Sequence, residues 1–400
     1  MGPDRFGFRI GTNLIFSLVV AMVTVSLTPA PTANNTTWFN TENRTTVIEA
    51  YHTEFSRAVP PMGWEDGDTS ECRAGRTSSA FRQATIDRVN YFRAMAGVKA
   101  AVVEDGGFSV KAQITAVMMS AQDELSHDPS SDYACYTTVA KEGAGHSNLY
   151  LGRTGPRAVN GYIEDPGDGN TDVGHRTTIL HPPTRRMGIG DVAASDNYRE
   201  ANTLWVFDDH VFDETNPDHR PPMREPRRFV AWPPRGFVPQ DIVYPRWSVT
   251  VADVDFSEAE VSMFRHTKDG PEPVPLTVVD RVGKPGHVPL PTIVWEPEIS
   301  PASSVDIAYT VVVTNLGSMV AKADRLTLPA ELAFSDEDLG TSATTSDPSA
   351  EADSGSTVFG RAEPLVYTVQ VLGARPHRLF ADAEALTEIE RYLVADLESR

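Results

Sequence analysis

The spacing of apolar residues changes character along this chain of 400 residues. Near its start an apolar run, Leu14 through Val23, follows Arg5 and Arg9 and fades at Leu27, before the small residues Thr28-Pro29-Ala30. A basic lead, a short apolar stretch and a small-residue end predict a secretory signal over 1–30, either cleaved or kept as a signal anchor. The run is shorter than the roughly 20 residues of a spanning helix. Helical spacing follows over 78–213. Ile86, Val89 and Phe92 sit among charges between Phe81 and Ala96. Val110, Ile114, Val117, Ala121 and Leu125 recur at steps of 4, 3, 4 and 4, which predicts an amphipathic helix with that stripe buried. Thr154-Gly155-Pro156 starts a third helix through Ala158, Tyr162 and Ile163. Two short apolar runs, 187–192 and 203–207, predict strands.

Residues 214–240 bring a cluster of prolines, among them Pro221, Pro222, Pro233, Pro234 and Pro239, interleaved with Arg220, Arg224, Arg227, Arg228 and Arg235. Proline breaks regular elements, so this stretch predicts a semi-rigid linker. From 241 to 375 the period becomes two: Trp247, Val249 and Val251, then Ile307, Tyr309, Val311 and Val313, then Leu365, Tyr367, Val369 and Val371. With the runs at 261–263 and 292–295, this predicts about six strands of an immunoglobulin-like β-sandwich. Residues 326–360 interrupt it with seven acidic residues and no Lys or Arg, the composition of a solvated insertion rather than a calcium site. Leu386, Ile389, Leu393 and Leu397 predict a closing helix within 376–400. Residues 31–77 read as a tether and lead-in, and Asn34, Asn35 and Asn43 each head an N-x-Thr triplet.

Composition narrows the function. Thirty-five Lys and Arg against 55 Asp and Glu leave a net charge of −20, which disfavours a nucleic-acid partner and electrostatic binding to a membrane surface. A membrane is reached only through an uncleaved signal anchor. Two cysteines exclude a disulfide-dense scaffold and a four-cysteine zinc site. In an exported chain Cys72 and Cys135 are expected to form a disulfide rather than two free thiols.

The candidate chemistry lies in the helical region. His127 follows the amphipathic helix, His146 stands in Gly145-His146-Ser147-Asn148, and Glu164 ends the third helix. His175 stands in Gly174-His175-Arg176, ahead of His181-Pro182. Neutral imidazoles ligate Zn²⁺ well, and two of them with a water could activate it, with Glu164 as ligand or general base. Two histidines leave a metal under-coordinated unless His146 or Glu164 joins, so Zn²⁺ or another divalent ion would be held weakly. The alternative is a hydrogen-bonded histidine pair that fixes the loops around a cleft. Neither Ser126 nor Ser147 lies in a nucleophile elbow, and the run from Asp168 to Asp172 fails the EF-hand pattern.

These stretches, with Ile86 to Arg93, Leu204-Trp205-Val206 and Gly188-Ile189-Gly190, run in the order of a known family. The chain resembles bacterial-type members of the CAP superfamily (cysteine-rich secretory proteins, antigen 5 and pathogenesis-related 1) over about a third of its length. The resemblance implies an α+β chain whose first domain is a three-layer α-β-α sandwich with a cleft holding two His and two Glu. His127, Glu164 and His175 match three of these. The fourth, a Glu before Asn148, is replaced by Ser147. The family's roles are varied, so the resemblance implies first a non-enzymatic, secreted or cell-surface binding protein, whose partner is an extracellular protein, a lipid or a cell-envelope ligand. A metal-dependent hydrolase acting through His127, Glu164 and His175 is the alternative, and lipid or sterol capture a third.

Overall fold

The computed structural model describes residues 39–213, 215–216, 229–252, 254–282, 290–299, 303–318 and 365–373. The expected signal, the acidic insertion and the C-terminal helix lie outside the described residues.

The first described segment is not a tether. Asn43 caps helix α1 (Arg44–Ala50) by accepting from the Thr46 amide, and a π-helical turn, Tyr51–Phe55, continues it. Phe55 packs on Tyr91 and Phe92, with ring centroids 5.2 and 5.9 Å apart. On its other side the segment meets the C-terminal sandwich: the Phe237 amide donates to the Thr41 carbonyl, and Arg44 forks onto Asp306 at 2.8 and 3.3 Å. A hairpin follows, β1 (Glu65–Asp68) with β2 (Arg73–Arg76). Its turn carries Cys72, which is disulfide-bonded to Cys135, 63 residues on.

Next come α2 (Ser79–Met95), β3 (Val103–Glu104), α3 (Gly106–Gln122), α4 (Thr138–Gly145) and β4 (Ser147–Leu151). They are followed by α5 (Gly155–Glu164), α6 (Gly174–Ile179), β5 (Arg186–Val192), β6 (Ala201–Trp205) and α7 (Asp209–Phe212). Ser78, Asp105 and Thr137 cap α2, α3 and α4 with side-chain oxygens that accept amide hydrogens otherwise lacking partners. The sheet runs β3-β5-β6-β4, parallel only between β3 and β5. Strand alternation sorts its two faces. Met187, Ile189 and Leu204 join the core formed with α2 and α5, whereas Ala201 and Trp205 meet α3. On the α3 face Gly188 and Gly190 are required: a Cβ there would come within 2.4 Å of the Phe108 backbone and 2.2 Å of the Ala112 backbone. The result is helix, sheet and helix in three layers.

The stripe predicted for α3 is buried at Val117 but not at its ends. Val110 is 61% exposed, and Leu125, 41% exposed, lies beyond the helix end. Besides Val117 the helix buries Phe108, Ala112, Thr115, Ala116 and Met119. Sheet, α4 and the disulfide-bonded hairpin surround it, so apolar spacing no longer marks a single inward face.

The expected linker is corrected as well. Residues 217–228 lie outside the described residues, but β7 (Phe229–Trp232) and β8 (Gly236–Pro239) are strands. Then come β9 (Trp247–Val251), β10 (Val254–Asp255), β11 (Glu260–Thr267), β12 (Gly270–Pro273) and β13 (Leu276–Val282). The last are β14 (Thr292–Pro297), β15 (Ile307–Thr314), β16 (Gly317–Ser318) and β17 (Leu365–Leu372). One sheet is β13-β14-β9-β7 and the other β12-β11-β15-β17-β8, with β8 parallel to β17. Labelled A to G, these are the ABED and CFG sheets of an immunoglobulin-like sandwich with both edges extended. β7 and β8 are edge strands; Pro233 and Pro234 lie between them and Pro239 closes β8, positions at a sheet edge where proline is tolerated. Trp232, Trp247 and Trp295 are fully buried, and Trp247 meets Tyr309 of the facing sheet edge-on at 5.9 Å. Trp232 also meets Phe92 of α2 at 5.3 Å, so the core runs without a break from the helical domain into the sandwich.

Candidate functional site

The main cleft, about 580 Å³, opens between the end of α3, strand β4, the C-terminus of α5 and the start of α6. His127 and His175 both line it, with ring centroids 6.4 Å apart. The Nδ1 of His127 donates to the Ala144 carbonyl at the end of α4 at 2.9 Å. The Nδ1 of His175 donates to Oδ1 of Asp165 at 2.7 Å. Each ring is thereby fixed by a carbonyl or carboxylate acceptor, which sets its tautomer and leaves Nε2 for a ligand. Leu125, Leu149 and Leu151 with Tyr150 and Tyr162 supply an apolar lining, and Arg199 and Asp123 form an ion pair among the lining residues.

Asp165, adjacent to the expected Glu164, carries the structural work. It ends α5 in the left-handed conformation, at φ 54°, with its side chain fully buried. Its Oδ2 accepts from the His175 amide at 3.0 Å and the Arg176 amide at 3.3 Å, so one carboxylate binds both the ring and the backbone at the start of α6. Burial by itself pushes His175 down. The hydrogen bond and charge of Asp165, with the charge of Asp172, outweigh it and hold His175 above its ordinary 6.5. Asn148 ties the helix to the sheet: its Nδ2 donates to the His175 carbonyl at 3.1 Å and its Oδ1 accepts from Thr178 at 3.1 Å. Tyr162, beside the His175 ring at 5.6 Å, donates to Asn202 Oδ1 at 2.8 Å and to the Asn148 carbonyl at 3.0 Å.

Two sequence-named residues are not brought to this cleft. Glu164 does not line it; its Oε2 lies 3.2 Å from Nη1 of Arg153. Residues 164 and 165 point differently because the helix ends between them. His146 lines a separate hollow of about 500 Å³, stacked on Trp205 at 4.6 Å, with its Nδ1 on the Glu142 carbonyl at 2.7 Å. Ser147, where the family pattern has Glu, is buried at the head of β4. Among the described residues no group of three or more His, Cys, Asp or Glu side chains is placed to hold a metal. The cleft also carries Asp123, paired with Arg199, and Glu124, but among the described residues none of its carboxylates stands with both imidazoles in a set of three, so the donors do not fit a resident Zn²⁺.

A single signal could have found Asp165. Asp tolerates the left-handed conformation that ends a helix, and Asp165-Pro166-Gly167 follows the helical pattern directly. Its pairing with a histidine ten residues on depends on the turn between α5 and α6.

A three-layer domain with a histidine-lined cleft, followed by an immunoglobulin-like sandwich, defines the class. The profile of the cysteine-rich secretory protein family, CAP, matches residues 86–208. Among solved structures the chain is similar to the venom allergen-like protein 4 of Schistosoma mansoni. That similarity is 12% identity over 33% of this chain and 91% of that one, with a TM-score of 0.21. No curated protein matches the chain. Residues 86–208 are a CAP domain, and the chain is a CAP superfamily member through that segment. The family is one of typically secreted, extracellular-type interaction proteins. Among the described residues no helix is long and apolar enough to cross a membrane.

Proposed function

We propose that this protein is exported and works by binding, with the His127–His175 cleft as its ligand site and no reaction of its own. The observation that carries this reading is the commitment of both imidazoles. Each has its Nδ1 bonded to an acceptor, and among the described residues no third metal ligand joins them. What they offer is two Nε2 positions above an apolar floor of Leu149, Leu151 and Tyr162. A ligand that combines an apolar body with a hydrogen-bonding polar group matches that lining.

The test is a fragment screen read on the histidine ring resonances of the labelled full chain. Amphiphilic fragments are expected to shift both His127 and His175, and His127→Ala to weaken the best of them by about tenfold, the worth of one hydrogen bond. A peptide- or ester-cleaving activity that chelator removes and His127→Ala abolishes would replace binding by metal-dependent hydrolysis. A screen in which neither ring responds would remove the cleft as a site.

A further inference from the structure

The loop that presents Asp165 to His175 holds an unfavourable backbone. Between α5 and α6, Asp165 and Val173 are both in the left-handed region, at φ 54° and 47°, and Gly167 lies at φ 102°. For a β-branched residue such as the fully buried Val173 this is a true outlier. Such conformations persist only where the surroundings hold them.

The holding contacts come from the other domain. Arg246, just before β9 of the sandwich, directs its Nη1 at three carbonyls of this loop: Asp165 at 2.9 Å, Gly167 at 2.8 Å and Asn170 at 2.9 Å. Its Nε is anchored by Glu296 of β14 at 3.0 Å, and its side chain is only 11% exposed. Thr171 donates to Asp280 of β13 at 2.7 Å. From the helical side, Arg176 reaches Ser248 of β9 at 3.0 Å while donating to the Ile163 and Glu164 carbonyls. Asp165 and Asn170 line the cleft themselves.

We infer that the immunoglobulin-like sandwich is a working part of the cleft, and that Arg246 is a positioning residue which sets the Asp165–His175 pair by clasping the loop between them. Its consequence for ligands rests on the binding reading above; its consequence for His175 does not. The charged and titratable groups around His175 are Asp165 and Asp172 from the loop, Tyr162 from α5 and His127 across the cleft.

The sign of the effect separates positioning from simple charge. Removing a nearby cation makes it easier to protonate a histidine, so lost charge alone moves His175 upward. Loosening Asp165 moves it downward. The experiment is a ring titration of His175 in the labelled full chain carrying Arg246→Ala, without ligand, together with amide exchange over 165–175. We expect a downward shift of the His175 midpoint and at least about tenfold faster exchange of the loop amides, with β5 amides unchanged. Arg246→Lys, which keeps a multi-donor cation, should recover part of both. Lys268→Ala, an exposed charge removed elsewhere in the same sandwich, should change neither. An unchanged or raised midpoint with unchanged loop exchange overturns the inference. If Arg246→Ala does not fold, Glu296→Gln and Thr171→Val take its place; both are expected to shift the midpoint downward by less, and no shift in either overturns it. A cleft that binds no fragment but whose His175 responds this way would sink the binding reading and leave the clasp standing.

Discussion

Arg93→Met is expected to destabilise the chain by about 4 kcal/mol or more, and to loosen the cleft as it does so. Arg93 lies on α2 and is fully buried. Its guanidinium donates to the carbonyls of Lys99, Ile179, His181, Pro182 and Thr184, at distances from 2.7 to 3.3 Å. No carboxylate shares the bond; backbone carbonyls solvate the buried charge. Methionine fills much of the volume but leaves those carbonyls without donors, and each buried, unsatisfied group costs on the order of 1–3 kcal/mol. The loss falls on the turn that follows α6, the helix bearing His175. Urea unfolding should show the midpoint drop, and amide exchange should place the earliest opening at 179–184. A midpoint shift worth less than about 1 kcal/mol would mean that water replaces the arginine there.

Asp165→Asn is expected to cost about 3 kcal/mol, because it breaks a buried charge-assisted contact and turns an amide N–H₂ toward backbone donors. The acceptors it removes serve the His175 ring, the His175 amide and the Arg176 amide. The variant also changes the response to pH. In the folded protein His175 binds its proton more tightly than the unfolded chain does. Its contribution to stability is therefore fully present below its ordinary 6.5 and fades as pH rises through the higher folded midpoint. Wild type should lose this increment between slightly acidic and alkaline pH, and Asp165→Asn should not have it to lose. Unfolding curves at pH 6 and pH 9 for both proteins read the difference directly; a parallel pH dependence in the two would refute the assigned role of Asp165.

The sandwich adds a constraint that the CAP domain does not contain within 86–208. Arg246, Ser248, Asp280 and Glu296 all lie after the matched segment, yet they hold the loop on which His175 depends. The first described segment contributes in the same way, since Phe55 and Thr41 bridge the two domains. A CAP domain cut out at its family boundaries would lose those contacts.

Local pattern was enough for the helices α2 and α5, the strands β5 and β6, and the alternation of β9, β15 and β17. Their apolar residues recur at the period of the element or form a short run between turn residues, which suffices even where, as in β5, β6 and β15, both faces are buried. Composition and the expected compartment were enough to pair Cys72 with Cys135. The sequence also placed His127 and His175 in one cleft through motif order. It failed where burial comes from several directions, as around α3, and where prolines sit in or beside edge strands, as Pro239 does in β8 and Pro233 and Pro234 do between β7 and β8. It also failed where one residue decides which way a side chain points. Glu164 and Asp165 are neighbours in sequence, but the helix end turns the first toward Arg153 and the second toward His175. Only the tertiary structure could choose between them, because the choice is made by a left-handed turn that a distant arginine, Arg246, holds in place.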